Sequence, residues 1–487
     1  MPVNPTSRLP HLSSKAVLPF LEWLPGYGAA RLKRDLLAGM TVALVLIPQS
    51  MAYAQLAGLP AYYGLYAAFL PPAAAALFGS SRQLATGPVA VVSLLTAVAL
   101  QPLATLGSPA YIGYAFLLAL IVGVIQFGLG LFRLGLVVNF LSHPVVNGFT
   151  NAAAIIIATG QLGKLFGVSV ETDAHHYQTV MQVVQTSWHY THWPTVMMGA
   201  LAFSIMMALK KISLRIPNVL VAVVVTTLIS WATGYEQRVT MPLAAVADAP
   251  TRSLIVHFNA VADQLQQMDS HRSRLNAALA QALADHHHMI VINTRHDLAI
   301  LNHQMALKRQ AIAAHRRQIR RLLFDGGRTT AGELHFFPQG ERPQAVSKVG
   351  GQWRLKIGNT PLDSAALTFS GGGEGVGAIP TGLPDFMLPP MDGRAALTLL
   401  PAAAIIGLLG FMEAISVAKA MAAKTGQRID PNQELIGQGL ANMVGSVSQS
   451  YPVAGSFSRS AVNLQAGAAT GVASVIASLA GVATLFF

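Results

Sequence analysis

Two short stretches of this sequence combine residue types suited to holding an anion. Ala85-Thr86-Gly87-Pro88 precedes the apolar run Val89 to Ala99, and Tyr451-Pro452-Val453-Ala454-Gly455 precedes Ser456 to Leu464. Each reads as extended backbone running into a short helix. Proline at a helix start loses no needed donor, and glycine lets a ligand or another backbone come close. The free N–H groups at such a start carry a partial charge of about +0.5, which favours an anion. A plain kinked helix is the alternative at either break taken alone.

Two charged residues belong to the same chemistry. Arg459 lies one turn into the second short segment. At membrane depth an arginine costs a few kcal/mol unless it meets water, a partner or a bound anion, so it either adds positive potential to a site or pairs with protein oxygens. Glu413, in Phe411-Met412-Glu413-Ala414-Ile415-Ser416, is the carboxylate set deepest in an apolar span. Such a residue marks an ion or proton path; the alternative is an ion pair with Lys419 or Arg459.

Other chemistries find no support. The sequence has no cysteine, which removes thiolate metal sites and cysteine nucleophiles. His286-His287-His288, with His296 and His303, points around a helix without ligand spacing, so no metal site is assigned. No Ser-His-Asp set or phosphate loop is present, no catalytic residue is assigned, and no cofactor is expected. Asn432-Gln433-Glu434-Leu435 reads as helix capping and packing.

The elements that must position these residues lie in a membrane. Of 487 residues 53% are hydrophobic and 11% charged, against roughly a quarter charged in soluble domains. Apolar runs near 38–57, 62–79, 85–100, 111–132, 136–167 (broken at Pro144), 194–211 and 217–233 approach bilayer-spanning length. Spans resume near 396–420, 433–447, 455–466 and 467–487. Arg31, Lys33, Arg34, Arg82, Arg133, Lys210, Lys211, Arg215, Lys424 and Arg428 fall in alternate connections, which makes the N-terminus cytoplasmic. Pro2 to Arg34 carries no cleavable leader pattern, so the first span is expected to be retained. The net charge of +12 follows from this topology plus one basic segment, and nucleic acid is not expected as a partner.

That segment, 235–375, has a soluble protein's composition and falls outside the membrane by the odd span count. Val261, Leu265, Met268, Leu275 and Leu279, then Leu301, Met305, Ile312, Ile319 and Leu322, follow spacings of four and three. They predict a helical hairpin over about 256–323 with its tip near His286 to Arg295. Leu334 to Phe337 and Trp353, Leu355, Ile357 suggest short strands, and Ser370 to Gly377 a glycine-rich exit.

Asp35 onward reads DLLAGMTVALVLIPQSMAYAQLAGLPAYYGLY, then FGSSRQLATGPVAVVS; after the insert come VGAIPTGLPDFMLP, GFMEAISVAKAMAAKTGQRIDPNQELIGQGLANMVGS and YPVAGSFSRSAVNLQAGAATG. Over roughly 30–234 and 376–487 the chain resembles the sulfate permease (SulP) family, relatives of the sulfate/anion exchangers that include pendrin and prestin. The resemblance implies an all-α polytopic fold of seven plus seven spans in inverted repeat, with discontinuous spans 3 and 10. Spans 1–4 and 8–11 would form a core, and 5–7 and 12–14 a gate. It places the two breaks at corresponding points of the repeats. It also implies that Gln49, Tyr53 and Val89 face the start of the second short helix, with Ser458 the direct contact and Phe457 lining the pocket; beside them Arg459 is expected to add positive potential and Glu413 to serve a coupling ion or proton.

Domain expectations follow: a cytoplasmic segment 1–34, spans 1–7 over 35–234, an extracytoplasmic insert 235–375 that the common family pattern lacks, and spans 8–11 over 376–487. Spans 12–14 and the usual STAS domain are not expected in this chain. The functional expectation is a secondary active transporter of sulfate, bicarbonate or a dicarboxylate by elevator-type alternating access. It would be coupled to H+ or Na+ and reside as a homodimer in the lipid bilayer of the inner membrane, with an unknown partner for the insert. The alternative is a truncated or split, non-transporting membrane protein whose insert binds that partner.

Overall fold

The computed structural model describes residues 19–104, 106–135, 143–168, 176–212, 218–235, 237–329, 332–358, 360–372 and 379–486. The first part of the N-terminal segment, the start of the expected span at 136–167, Arg215 and most of the glycine-rich exit lie outside them. In chain order, short helices at Phe20–Trp23, Leu162–Phe166 and Leu243–Ala245 aside, the described elements are α1 (Ala29–Leu56), α2 (Tyr62–Ala67), α3 (Leu70–Phe78), β1 (Ala85–Gly87), α4 (Ala90–Leu100), α5 (Pro109–Leu131) and α6 (His143–Gly160). Then come α7 (His176–Tyr190), α8 (Trp193–Ile212), α9 (Asn218–Thr233), β2 (Arg238–Met241), α10 (Ala249–Ala284) and α11 (His288–Arg321). The remainder are β3 (Phe324–Arg328), β4 (Leu334–Pro338), β5 (Ser347–Leu355), β6 (Leu367–Ser370), α12 (Gly393–Thr425), α13 (Pro431–Val447), β7 (Ala454–Ser456), α14 (Phe457–Gln465) and α15 (Val472–Ala483). Among the described residues four helices, α1, α5, α8 and α12, are long and apolar enough to cross a bilayer by themselves.

The chain divides into two compact units. The first contains 1–153, 212–220 and 376–487. Its helices pack through small residues, as expected where lipid removes the hydrophobic drive between helices and close backbone contact replaces it. Along α5 and α13 the approach is so tight that a Cβ on Gly439 would sit 2.5 Å from the Phe127 nitrogen, and one on Gly123 2.7 Å from the Met443 nitrogen. Gly407 in α12 differs, because its nearest neighbour would be Gln126 Cγ at 3.6 Å, an ordinary contact. Gly407→Ala is therefore expected to raise thermal stability in detergent modestly, by about 0.5–1 kcal/mol, since alanine loses less backbone entropy in a helix; a fall would show that the α5–α12 contact has no slack.

Beside α5 and α13 the two breaks meet. β1 and β7 pair antiparallel, with Ala85 opposite Ser456, Thr86 opposite Gly455 and Gly87 opposite Ala454. Irregular backbone at membrane depth must find its hydrogen bonds inside the protein, and here buried side chains supply them. Asn442 Oδ1 accepts from the Val453 nitrogen at 2.8 Å while its Nδ2 donates to the Val453 carbonyl at 3.1 Å and to Gln126 Oε1 at 2.9 Å. Gln126 in turn donates to the Gly407 carbonyl at 2.9 Å. The Ala85 nitrogen donates to Ser460 Oγ at 2.9 Å, Gln438 Nε2 to Thr86 Oγ1 at 2.8 Å, and Asn463 Nδ2 to the Gln83 carbonyl at 3.1 Å.

The second unit contains 154–211 and 221–375. α10 and α11 form the hairpin, and Leu265, Leu301, Met305, Ile312 and Ile319 of the expected stripe are buried in one cluster. The turn is Asp285–His287, sharper and earlier than the spacing predicts, with His286 at φ +55°. The hairpin also starts earlier, because Asp248 caps α10 by accepting from the Thr251 nitrogen at 2.8 Å. A five-stranded sheet in the order β2-β6-β5-β3-β4 closes the base of the hairpin. Phe336 stacks on Phe369 at 3.8 Å in its core.

Within this unit Arg354 ties the sheet to the segment before α8. Its Nη1 donates to the Gly167 carbonyl at 2.7 Å and its Nη2 to the Tyr190 carbonyl at 3.1 Å. Burial holds its guanidinium below the ordinary arginine value. His192, whose Nδ1 lies 2.8 Å from Thr195 Oγ1, is held below the usual histidine value by burial and then by Arg354.

Candidate anion site

The half-helix starts come one residue later than the sequence suggests. α4 begins at Ala90 with Val89 as its cap residue (φ −135°, ψ 148°), and α14 begins at Phe457 with Ser456 as its cap. Both cap residues are extended, so each belongs to the break and only its carbonyl to the helix. The antiparallel ribbon leads to the two starts from opposite ends of a three-residue ladder that is about 7 Å long by strand rise, with Pro88 and Val89 between the ladder and α4. The two partial positive charges therefore lie beyond its two ends.

Arg459 joins them. It is fully buried (0% exposed), and its Nη1 donates to the Pro88 carbonyl at 2.8 Å, just before the first half-helix. The same nitrogen lies 3.4 Å from Gln49 Oε1 on α1. Nε and Nη2 are buried with no hydrogen-bond partner among the described residues. These two nitrogens form one edge of the guanidinium, the edge that grips an oxyanion through two parallel N–H bonds. Gly87 makes room for it, since a Cβ there would sit 3.2 Å from Nη2, and its φ of +149° is one that glycine alone takes readily.

Gln49 and Tyr53 stand one turn apart on α1, downstream of Pro48, which removes a helix hydrogen bond at this level. Tyr53, Glu413 and Tyr451 all lie within electrostatic range of the Arg459 guanidinium. Glu413 makes no hydrogen bond or ion pair among the described residues, so neither the Lys419 nor the Arg459 pair forms. Val89 is buried in the core cluster with Tyr451 and Val453. Ser458 is exposed and lies 3.4 Å from Ser456 Oγ, and Phe457 is 59% exposed. Gln49, Val89 and Arg459 thus converge through the Pro88 carbonyl and the ribbon, whereas Phe457 and Ser458 occupy the open side of the α14 start.

The residues that hold the breaks, Gln126, Gln438, Asn442, Ser460 and Asn463, were not singled out from the sequence. Their signal was available: Gln438 and Asn442 are amides four apart on one face of an apolar helix. Glu434 likewise does more than cap, because it is buried and receives the Ser80 and Ser81 backbone.

Comparison with known proteins supplies the family. A profile of the sulfate permease family matches residues 32–312 and 361–487. The chain is 31% identical over 461 residues to the chloroplastic sulfate transporter 4.1 of Arabidopsis thaliana, covering 94% of this chain and 48% of that protein. The chain spans about half the length of the curated relatives it matches. Its fold resembles that of SLC26A9, with a TM-score of 0.63, 20% identity and coverage of 97% of this chain and 56% of that one. It also resembles the transmembrane domain of the cyanobacterial bicarbonate transporter BicA, with a TM-score of 0.59, 17% identity and coverage of 94% and 84%. The relatives are transporters and not enzymes. With its ribbon-joined half-helices and a profile match across most of its length, the chain belongs to the sulfate permease family of multi-pass membrane anion transporters.

Proposed function

We propose that this chain binds a small inorganic anion between α4, α14 and α1 and moves it by secondary active transport, with sulfate first and bicarbonate or a small dicarboxylate as alternatives. One observation carries the reading: the Nε–Nη2 edge of a fully buried Arg459 has no protein acceptor among the described residues. A buried, unneutralised guanidinium costs several kcal/mol, and an oxyanion entering between two helix starts offsets that cost. The Arabidopsis relative's name favours sulfate, and the resemblance to BicA keeps bicarbonate in view. Relatives that are themselves transporters favour this over a non-transporting membrane protein. The proposal includes an inverted seven-plus-seven repeat, elevator-type alternating access, a homodimer and a cytoplasmic N-terminus in the inner membrane. Gln49, Tyr53, Val89, Phe457 and Ser458 complete the wall around Arg459.

The test is uptake of labelled sulfate and bicarbonate by the reconstituted chain, where flux equal to empty vesicles rules out transport by the chain alone. Coupling falls to Glu413, an unpartnered carboxylate whose charge opposes anion entry until a proton or Na+ neutralises it. Sulfate uptake is expected to respond to an imposed H+ or Na+ gradient, and Glu413→Gln to abolish that response while leaving exchange under symmetric conditions. An unaltered gradient response in the variant removes Glu413 from the coupling.

A further inference from the structure

The second unit holds a cavity of about 460 Å³ with an apolar floor at Val168 and Leu323 and hydrogen-bond donors from three elements around it. Arg317, Arg320 and Arg321 line it from α11, three and four residues apart and so on one face of the helix. From α7 the opposite wall presents Gln182, Gln185, Thr186 and His189, again one helical face. Arg354 closes one end, held by the Gly167 and Tyr190 carbonyls. No carboxylate lines the cavity among the described residues. Four guanidiniums around one space repel one another, and only Arg320 and Arg354 are tied to backbone carbonyls there.

Two of them are free to act on a ligand. Arg320 is engaged with the Ile357 carbonyl at 3.3 Å, whereas Arg317 and Arg321 have no hydrogen-bond or ion-pair partner among the described residues. The volume suits a headgroup-sized molecule, and the level suits a membrane surface. α7 runs directly into α8, a helix long and apolar enough to cross a bilayer. At that junction Trp188 and Trp193 are 85% and 69% exposed, as aromatics are at the level of lipid headgroups.

We propose that this cavity is a second anion site, separate from Arg459, that takes a tetrahedral oxyanion: the phosphate of an anionic phospholipid headgroup, or free phosphate or sulfate. The guanidinium forks supply paired N–H bonds to its oxygens, and Gln185 and Thr186 complete the donor set.

The test uses the full chain purified in detergent. One arm titrates short-chain phosphatidylglycerol, with the matching phosphatidylcholine as zwitterionic control. The other titrates sodium phosphate and sodium sulfate against sodium chloride at equal ionic strength. The double variant Arg317→Gln with Arg321→Gln changes two exposed side chains, and Arg295→Gln, elsewhere on α11, controls for general charge loss. The double variant is expected to weaken binding about tenfold in at least one arm, with the control like wild type. Loss confined to phosphatidylglycerol identifies a lipid site, and loss confined to phosphate or sulfate a free-ion site. Binding that is the same in wild type and double variant in every arm, or absent from both, overturns the proposal. Binding at the Arg459 site is common to both chains and cancels in the comparison.

Discussion

Replacing Arg459 with alanine is expected to weaken sulfate binding by roughly two orders of magnitude or more, because truncating one member of a buried charged contact costs about 2–5 kcal/mol. Arg459→Lys should recover only part of this, since an ammonium can reach the Pro88 carbonyl but offers no two-nitrogen edge. Binding of labelled sulfate to the purified chain in nanodiscs measures both. A second readout separates this role from a structural one. If the guanidinium were there to hold α14 against β1, its loss would lower stability. Two of its three nitrogens have no partner among the described residues, so Arg459→Met, of similar length, is expected to melt at or above the wild-type temperature while binding as poorly as the alanine variant. Relief of an unneutralised buried charge is the reason. Sulfate affinity within threefold of wild type in Arg459→Ala removes this residue from the site, and a large drop in melting temperature in Arg459→Met makes it a strut.

The halves of this site differed in how readily they could be read. The Gly87-Pro88 and Gly455-Ser456 breaks are local: proline and glycine chemistry announces them, and the one-residue offset in the helix starts arises because a cap residue keeps extended backbone and lends only its carbonyl to the helix. The ribbon between them is not local. Three residues are too few for an alternating pattern, and Ala85 finds Ser456 across most of the chain. Arg459 was legible as a costly buried charge, but its partner is a backbone carbonyl, which every residue has, so no sequence signal could name Pro88. In the hairpin the heptad spacing located the buried stripe, while the start of α10 was missed although Asp248 and Pro250 mark a helix N-terminus. The cationic cavity was overlooked because Arg317, Arg320 and Arg321 read as part of a generally basic insert. Only the fold sets the donor-lined face of α7 against them.

Glu434 shows how a residue read as a helix cap becomes an anchor, and its replacement carries the other large expected effect. It sits in the first turn of α13 and is 1% exposed. One of its oxygens accepts from the Ser80 nitrogen at 3.0 Å, Ser80 Oγ at 3.0 Å and the Ser81 nitrogen at 3.1 Å. Those donors belong to the corner between α3 and β1, which α13 holds through this carboxylate and through Gln433 Nε2, a donor to the Phe78 carbonyl at 2.6 Å. Glu434→Ala would strand the Ser80 and Ser81 N–H groups where α3, β1 and α13 meet, at a cost of about 1–3 kcal/mol each, while Ser80 Oγ keeps the Asp430 carbonyl at 3.2 Å; it is expected to lower stability by about 3–5 kcal/mol, the loss typical of breaking a buried charged network. Glu434→Gln should be far milder. Its amide oxygen can keep the Ser80–Ser81 set, and its NH2 would face Gln438, which now donates to the other Glu434 oxygen at 3.4 Å and whose own Oε1 is buried without a partner among the described residues. Thermal unfolding in detergent, followed by loss of monodisperse protein, separates the two variants. Equal losses would mean that the negative charge itself, not the set of acceptors, holds the corner. Because Gln438 also donates to Thr86 inside β1, the alanine variant should carry its damage to the anion site, with sulfate binding falling alongside stability, while the glutamine variant keeps both.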